Sequence, residues 1–516
     1  MGVLENYVKK GQASSDQRYR ATTKGFCIGV PEAEAEATTS SIRLDTIFED
    51  FLDVFEQINN EKFIILGRKG TGKSAIGERI ISIANDDPNL FSAFIKKDDI
   101  DIEKIVQIGK EEGVAIEKAL LYKWIILTKL VSMFADNQSM ACLVGMQHLT
   151  KFIKNNRGFI NINNFEVKEI IKQYGISVNV EYFKRYLTAN GMSDAQYRYE
   201  KAEFYKLIPD LEKVIVNILK SDKENKYIVM FDDLDIGLRI NNQDSVDTLA
   251  ELIRIAKYFN NDIFARNQID SKVIVFMRSD IKKHLDYTAD MPKVFSSYAT
   301  ELRWYEDFYR DDEIKLLLRQ FINKRIQINF EKHGYVINNL NDPWTSFIDE
   351  NSFYGDKTGF KHIIDHTFFR PRDLILFFKN IGELDFDIPI SSRIVNTVLM
   401  ENYSKEMVAE IKGELSLNYD RTTIDLILLA LSRCSGYYNR ESFSYDKLTT
   451  ELQKVGVNAN IETVIEDLYD YSLIGNYDED GNVSFKYRES PGETVIMDKQ
   501  EDFILHYVLQ SYFKHT

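Results

Sequence analysis

Residues 67–74 read Gly67, Arg68, Lys69, Gly70, Thr71, Gly72, Lys73, Ser74, which fits G-x-x-x-x-G-K-[ST] at every fixed position. This string limits what the chain can fold into more than any other, because it works only as a turn between a buried strand and a helix. Its glycines let backbone N–H groups turn inward around phosphates with no Cβ in the way. The helix that follows adds the positive end of its dipole. The flanks agree: Phe63–Leu66 is a short apolar run that predicts a buried strand, and Ala75–Ala84 predicts a helix. Gly67 through Ser74, with Ala75 behind them, are therefore candidate nucleotide-binding residues. Lys73 is expected to reach the β- and γ-phosphates, and Ser74 to offer its hydroxyl to Mg²⁺.

A second anchor lies downstream. Tyr227–Phe231 is apolar throughout and runs into Asp232, Asp233, Leu234 and Asp235. A buried strand that delivers paired carboxylates suits a Walker B element. Asp232 is the candidate metal ligand, and Asp233 the candidate base that polarises an attacking water. Asp235 is expected to be structural. Val273–Met277 is a third apolar run and ends in Arg278. In P-loop ATPases whose Walker A and B strands are separated by another strand, that middle strand ends near the γ-phosphate. Arg278 is thus a candidate γ-phosphate sensor, grouped with Lys73 and Asp233 as catalytic. Arg370-Pro-Arg372-Asp373 opens the apolar helix Leu374–Ile381. Proline at the first helical position and Asp in the first turn suit a helix start, and Arg372 is in addition a candidate lid sensor.

Apolar strands alternating with helices predict an α/β fold with a parallel sheet. The expected class is a P-loop NTPase sheet of the additional-strand (ASCE) type with a helical insertion, a helical lid and a C-terminal winged-helix domain. The 516 residues divide into an N-terminal arm over 1–40 and an ATPase core over 41–300, with the insertion at about 110–220. A helical lid over 301–415 and a winged-helix-like unit over 416–516 follow. In that last unit three short helices precede a hairpin, Leu473–Tyr487, around Asp480-Gly481. Arg43–Asn60 has apolar residues at helical spacing and predicts one amphipathic helix. Trp124, Trp304 and Trp344 are expected in the core. His362 and His366 stand four apart, but no third ligand completes a metal site. Cys27, Cys142 and Cys434 are too scattered for a metal knuckle and odd in number, which predicts a reducing, cytoplasmic setting. No apolar stretch approaches a membrane span.

Taken in order, GRKGTGKSA, IVMFDDLD, VIVFMRSD and TFFRPRDLILF resemble a family of bacterial P-loop ATPases first catalogued from cyanobacterial genomes. More broadly they resemble the STAND class of signal-transduction ATPases and their AAA+ relatives, the origin-recognition initiators. The resemblance covers roughly residues 25–385, and the winged helix extends it. STAND proteins typically end the strand after Walker B in Arg, here Arg278, and Asp232-Asp233 replaces the Asp-Glu usual in AAA+ proteins. Two departures stand out. Ser74 and Asp232 lie 158 positions apart, so the core must hold an insertion, and no repeat array follows the winged helix.

The resemblance implies a slow ATPase that uses ATP and Mg²⁺ as a switch on a partner effector protein, with a link to bacterial defence; a homo-oligomer is a candidate assembly that the sequence itself does not reveal. The alternatives are a DNA-associated initiator or transposition helper, and a P-loop kinase. The absence of N-K-x-D disfavours a GTPase, and the absence of an LSGGQ-like run disfavours an ABC ATPase. Charge bears on nucleic acid. The whole chain carries −15, and residues 421–516 hold nine Lys or Arg against sixteen Asp or Glu. Carboxylates in the recognition-helix and wing positions would face phosphates, which disfavours DNA reading by the winged helix.

Overall fold

The computed structural model describes residues 20–96, 106, 117–156, 177–192, 199, 201–232, 243–306, 312–353, 355, 357–436, 441–488 and 495–515. Its centre is a five-stranded parallel sheet. Strands β1 (Ile64–Gly67) and β2 (Leu90–Lys96) come first in the chain. A small antiparallel pair in the insertion, β3 (Ser177–Asn179) with β4 (Lys201–Glu203), follows. Then β5 (Lys226–Asp232), β6 (Lys272–Arg278) and β7 (Ala299–Glu301) complete the large sheet in the order β2-β5-β6-β1-β7. Strands β1 and β5, which end in the two motif candidates, thus flank β6, which is the additional-strand order. Ile64–Leu66, Val229–Phe231 and Val273–Met277 are buried along their length, as strands covered on both faces must be.

Helix α1 (Ala33–Thr38) lies in the N-terminal arm. The expected single helix over Arg43–Asn60 is instead two short ones, α2 (Leu44–Ile47) and α3 (Val54–Asn59). The break has a local cause. The Asp50 carboxylate accepts from the N–H groups of Val54 and Phe55 at 2.9 and 2.8 Å, so it starts a new helix rather than continuing the old. Helix α4 (Lys73–Asp86) leaves the phosphate loop and packs on β2. The insertion between β2 and β5 contributes α5 (Lys118–Asp136), α6 (Met146–Asn155), α7 (Glu181–Ala189) and α8 (Phe204–Ser221). Their apolar faces join the sheet in one core around Trp124, Phe152 and Phe204. Helices α9 (Gln243–Tyr258), α10 (Ser279–Leu285) and α11 (Met291–Tyr298) finish this part of the chain.

The lid follows as α12 (Leu317–His333), α13 (Trp344–Phe347), α14 (Gly359–Ile364), α15 (Pro371–Phe377) and α16 (Met400–Leu415). The C-terminal unit holds α17 (Arg421–Cys434), α18 (Tyr445–Val455), α19 (Ile461–Asp470), β8 (Ile474–Tyr477), β9 (Val483–Ser484), β10 (Asp502–Leu505) and α20 (Tyr507–His515). Side chains of Asp420, Ser444 and Asn460 cap the first three of these helices. The antiparallel sheet runs β10-β8-β9. β8 and β9 are the hairpin read around Asp480-Gly481, and β10 adds a strand on the far side of β8. One apolar core runs through lid and winged helix together, and Phe26 and Ile28 of the arm belong to it. The arm is pinned further by Asn329, whose amide exchanges two 2.8 Å hydrogen bonds with the Cys27 backbone. Glu36 pairs with Arg325 at 2.7 Å, both buried. No helix among the described residues is long and apolar enough to cross a membrane.

Candidate nucleotide site

The loop between β1 and α4 takes its shape from two residues in the left-handed region, Gly70 at φ +87° and Gly72 at φ +101°. A Cβ on Gly70 would also lie 2.9 Å from Cβ of Arg372, so the lid sits directly on the loop. Thr71 Oγ1 donates to the Arg68 carbonyl at 2.8 Å and closes the turn. Lys73 Nζ donates to the Gly67 and Arg68 carbonyls at 2.9 and 3.2 Å. The ammonium is therefore held at the loop by the loop's own backbone.

Sheet order brings the other anchors to the same place. Gly67 at the end of β1 is in register with Arg278 at the end of β6. Asp232 ends β5, on the other side of β6, and is 2 % exposed. A cavity of about 810 Å³ opens above these strand ends, within the roughly 300–1,000 Å³ of small-molecule sites. Lys69 to Ala75, Asp232, Arg278 and Arg372 line it. Its other wall is apolar, with Phe48, Phe51, Leu52, Phe321 and Ile375. One end thus offers N–H groups and charge, and the other offers a greasy slot for a flat ring. Gly67 and Arg68 do not line this cavity, and the side chain of Arg68 turns elsewhere. Asp233 and Asp235 lie outside the described residues.

Several neighbours were not singled out by sequence. Trp304 is half-buried rather than fully in the core, and its Nε1 donates to the Thr71 carbonyl at 2.9 Å. Lys96, at the end of β2, is in register with Asp232 and pairs with Glu34 of α1 at 2.5 Å. Burial opposes the Lys96 charge, but the hydrogen bond and charge of Glu34, with Glu78 and Asp232 nearby, together outweigh it and hold its pKa above the usual lysine value. Arg370 is buried and donates to the Lys69 carbonyl at 3.0 Å, to Glu414 at 2.9 Å and to Asp373 at 3.0 Å. No local signal marks Arg370 for this work, since its loop contact spans about three hundred residues.

Arg372 is the second residue of α15. Its N–H donates to the Gly70 carbonyl at 3.3 Å, and its guanidinium to the Pro31 carbonyl at 3.2 and 3.1 Å. The helix-start chemistry is present too: Pro371 opens α15, and Asp373 accepts from the Phe368 N–H at 2.8 Å. Arg278 forks onto Asp280 at 3.0 and 2.5 Å. Burial would raise the Asp280 pKa, but Arg278 and Arg68 hold it below the usual carboxylate range. His362 bonds Asn396 at 2.7 Å and His366 bonds the His362 carbonyl at 2.8 Å. No group of three metal-ligating residues occurs among the described residues.

The recognition-position helix α19 does not line this cavity but makes contacts on the other side of the loop. Asp467 accepts from Asn418 and Tyr419 at 3.1 and 2.5 Å. Asp470 pairs with Lys283 of α10 at 2.6 Å. Tyr471, just past the helix, accepts at its carbonyl from Arg68 at 3.2 Å.

Residues 316–411, the lid helices α12 to α16, match the model of the FunZ-associated C-terminal helical domain. No curated protein matches the chain significantly. Among solved structures, the Aeropyrum pernix ORC2 protein in its ADPNP–ADP complexes is 11 % identical. It superposes with a TM-score of 0.28 over 97 % of each chain. Cdc6p from Pyrobaculum aerophilum is 11 % identical with a TM-score of 0.28, over 94 % of this chain and 98 % of that one. Drosophila ORC bound to DNA is 11 % identical with a TM-score of 0.25, over 93 % and 90 %. Superpositions this loose carry no residue-level argument, and the fold rests on the chain's own strand order and phosphate loop.

Proposed function

We propose that the protein binds and hydrolyses ATP and uses the nucleotide state as a switch on a partner protein. One observation carries the reading. Three neighbouring strand ends bring Lys73, Arg278 and Asp232 to one cavity, whose roof is a lid bonded to the phosphate loop's own carbonyls. In this reading the loop amides and Lys73 hold the β- and γ-phosphates. The Ser74 hydroxyl and the Asp232 carboxylate are hard oxygen donors in the same cavity, which suits Mg²⁺. Bound there, Mg²⁺ would neutralise phosphate charge. Asp233, next along the chain, orients and deprotonates the water. The apolar wall with Phe51 and Trp304 takes the base, which favours ATP over GTP because no guanine-reading motif is present. The STAND-like placement of Arg278 after its strand supports a switch rather than a motor, and an effector protein as its target.

Arg278 sits where a γ-phosphate would compete with Asp280 for its guanidinium. Arg278→Ala is therefore expected to narrow the difference between ATPγS- and ADP-bound protein, read as hydrogen exchange over residues 312–516. A full-sized nucleotide response in that variant removes Arg278 from the relay.

The initiator-like alternative requires DNA to reach α19, whose Asp467 and Asp470 are engaged inside the molecule. The full chain is expected to show no binding to duplex DNA tighter than micromolar by fluorescence anisotropy at about 0.1 M salt, near physiological screening. Tighter binding would favour the initiator-like reading.

A further inference from the structure

A second cavity, of about 410 Å³, lies behind the phosphate loop where β6, the lid and the winged helix meet. It is lined by eight Lys or Arg side chains against five carboxylates, in a chain whose net charge is −15. Six of those cations have a carboxylate in contact: Arg278 has Asp280, Lys283 has Asp470, Arg370 has Asp373 and Glu414, Lys69 has Glu410, Lys282 has Asp286 and Arg303 has Glu301. Arg68 is different. Its side chain faces this cavity and not the first. It donates one hydrogen bond, to the Tyr471 carbonyl, and lies 5.6 Å from the Phe368 ring. A guanidinium carries five N–H donors in a fixed fork, so most of its donors are left without a protein acceptor among the described residues.

The buried Arg370 shows what the half-buried Arg68 lacks. At Arg370, burial works against the charge, but Asp373 and Glu414 in direct contact outweigh it and raise the pKa. At Arg68, burial wins over the more distant Glu414 and Asp280, and the pKa falls below the usual arginine value. Arg68 is half-buried, so its N–H fork with no carboxylate in contact stays open to the cavity. An incoming anion would take up those donors, and a phosphate or carboxylate matches the guanidinium fork. Around it stand flat aromatic faces: Phe369 and Tyr487 stack at 5.5 Å, and Tyr305 meets Phe369 edge-on at 4.9 Å.

We propose that this cavity is a second ligand site, for a small phosphate monoester that carries a planar ring. The phosphate sits on Arg68 and the ring against Tyr305, Phe369 and Tyr487. The site is separate from the ATP cavity and does not depend on that reading. Lys69, Thr71 and Arg278 line both cavities, so the second ligand is placed to act on the phosphate end of the first.

The test is calorimetric titration of the full chain with AMP, after the first cavity is saturated with ATPγS·Mg²⁺. Inorganic phosphate and adenosine serve as the two half-ligands. The expected result is one further AMP per chain, with phosphate weaker and adenosine weakest. Arg68→Met should weaken AMP by roughly tenfold or more, as expected for losing charge-assisted hydrogen bonds. Tyr305→Ser should weaken AMP while leaving phosphate unchanged, and Lys73→Ala should leave the AMP site intact. A wild-type chain with no saturable AMP site beyond the first overturns the proposal, whether or not the variants fold. So does an AMP affinity unchanged in a folded Arg68→Met. If ATPγS itself does not bind, the ATP reading fails separately. The second site is then judged by whether AMP binding depends on Arg68.

Discussion

Lys73→Ala weakens ATP·Mg²⁺ binding by about 10²-fold or more while leaving the fold intact. Lys73 is the cation that the loop itself holds at its centre, through the Gly67 and Arg68 carbonyls. Turning its ammonium onto phosphate oxygens would make charge-assisted bonds worth about 1.5–3 kcal/mol each. Two of them convert to that factor at about 1.4 kcal/mol per decade. The loop keeps its shape in the variant, because Gly70, Gly72 and the Thr71 hydroxyl set it without the lysine. Equilibrium dialysis with labelled ATP reads the change. An unchanged affinity, or GTP bound more tightly than ATP, removes the nucleotide assignment.

Arg370→Met destabilises the lid by about 3–5 kcal/mol, the usual result of breaking a buried ion pair from one side. Arg370 lies between Asp373 and Glu414, and all three are buried. Methionine fills the space but leaves two carboxylates desolvated and the Lys69 carbonyl without its donor. The readout is the urea midpoint together with amide exchange in α15 and α16. The pH dependence has a definite sign. Burial alone would raise the Glu414 pKa, yet Arg370, Arg68 and Arg278 hold it below the usual carboxylate value. A depressed carboxyl contributes stability above its unfolded pKa of about 4, and loses it as pH falls through the folded value. The wild-type lid therefore stays docked through weakly acidic pH. In Arg370→Met the Glu414 carboxyl loses its contacting cation and its pKa rises, so the stability deficit against the wild type is largest near neutral pH and shrinks as pH falls. A deficit that is the same at acid and neutral pH would show that Arg370 does not act through Glu414.

The loop after β1 and the strand β5 were legible because their pattern is contiguous: a few adjacent residues specify a strand end, a turn and a helix start. β6 was legible as a strand for the same reason, but its place between β1 and β5 is a matter of pairing across the sheet. The edge strand β2 escaped notice because it mixes Ser92 and Lys96 with its apolar residues, and of its side chains only Ile95 is fully buried. The two-helix break at Asp50 depended on one side chain choosing backbone donors four and five residues on. Trp304 read as core because an indole is mostly apolar, and only the fold shows its N–H aimed at Thr71. Arg370 and Glu414 meet through lid packing, which no local spacing encodes. The acidic face of the recognition-position helix was visible as charge. That Asp470 meets Lys283 and Asp467 meets Tyr419 inside the molecule was not.

The most direct measurement is single-turnover ATP hydrolysis set beside equilibrium ATP binding, in the wild type and in Asp233→Asn with Mg²⁺ present. The expected result is that Asp233→Asn binds ATP as the wild type does and hydrolyses it roughly 10²-fold more slowly, as loss of a general base requires. A wild-type chain that binds ATP·Mg²⁺ but never yields ADP, or an Asp233→Asn that loses binding and turnover together, would contradict it.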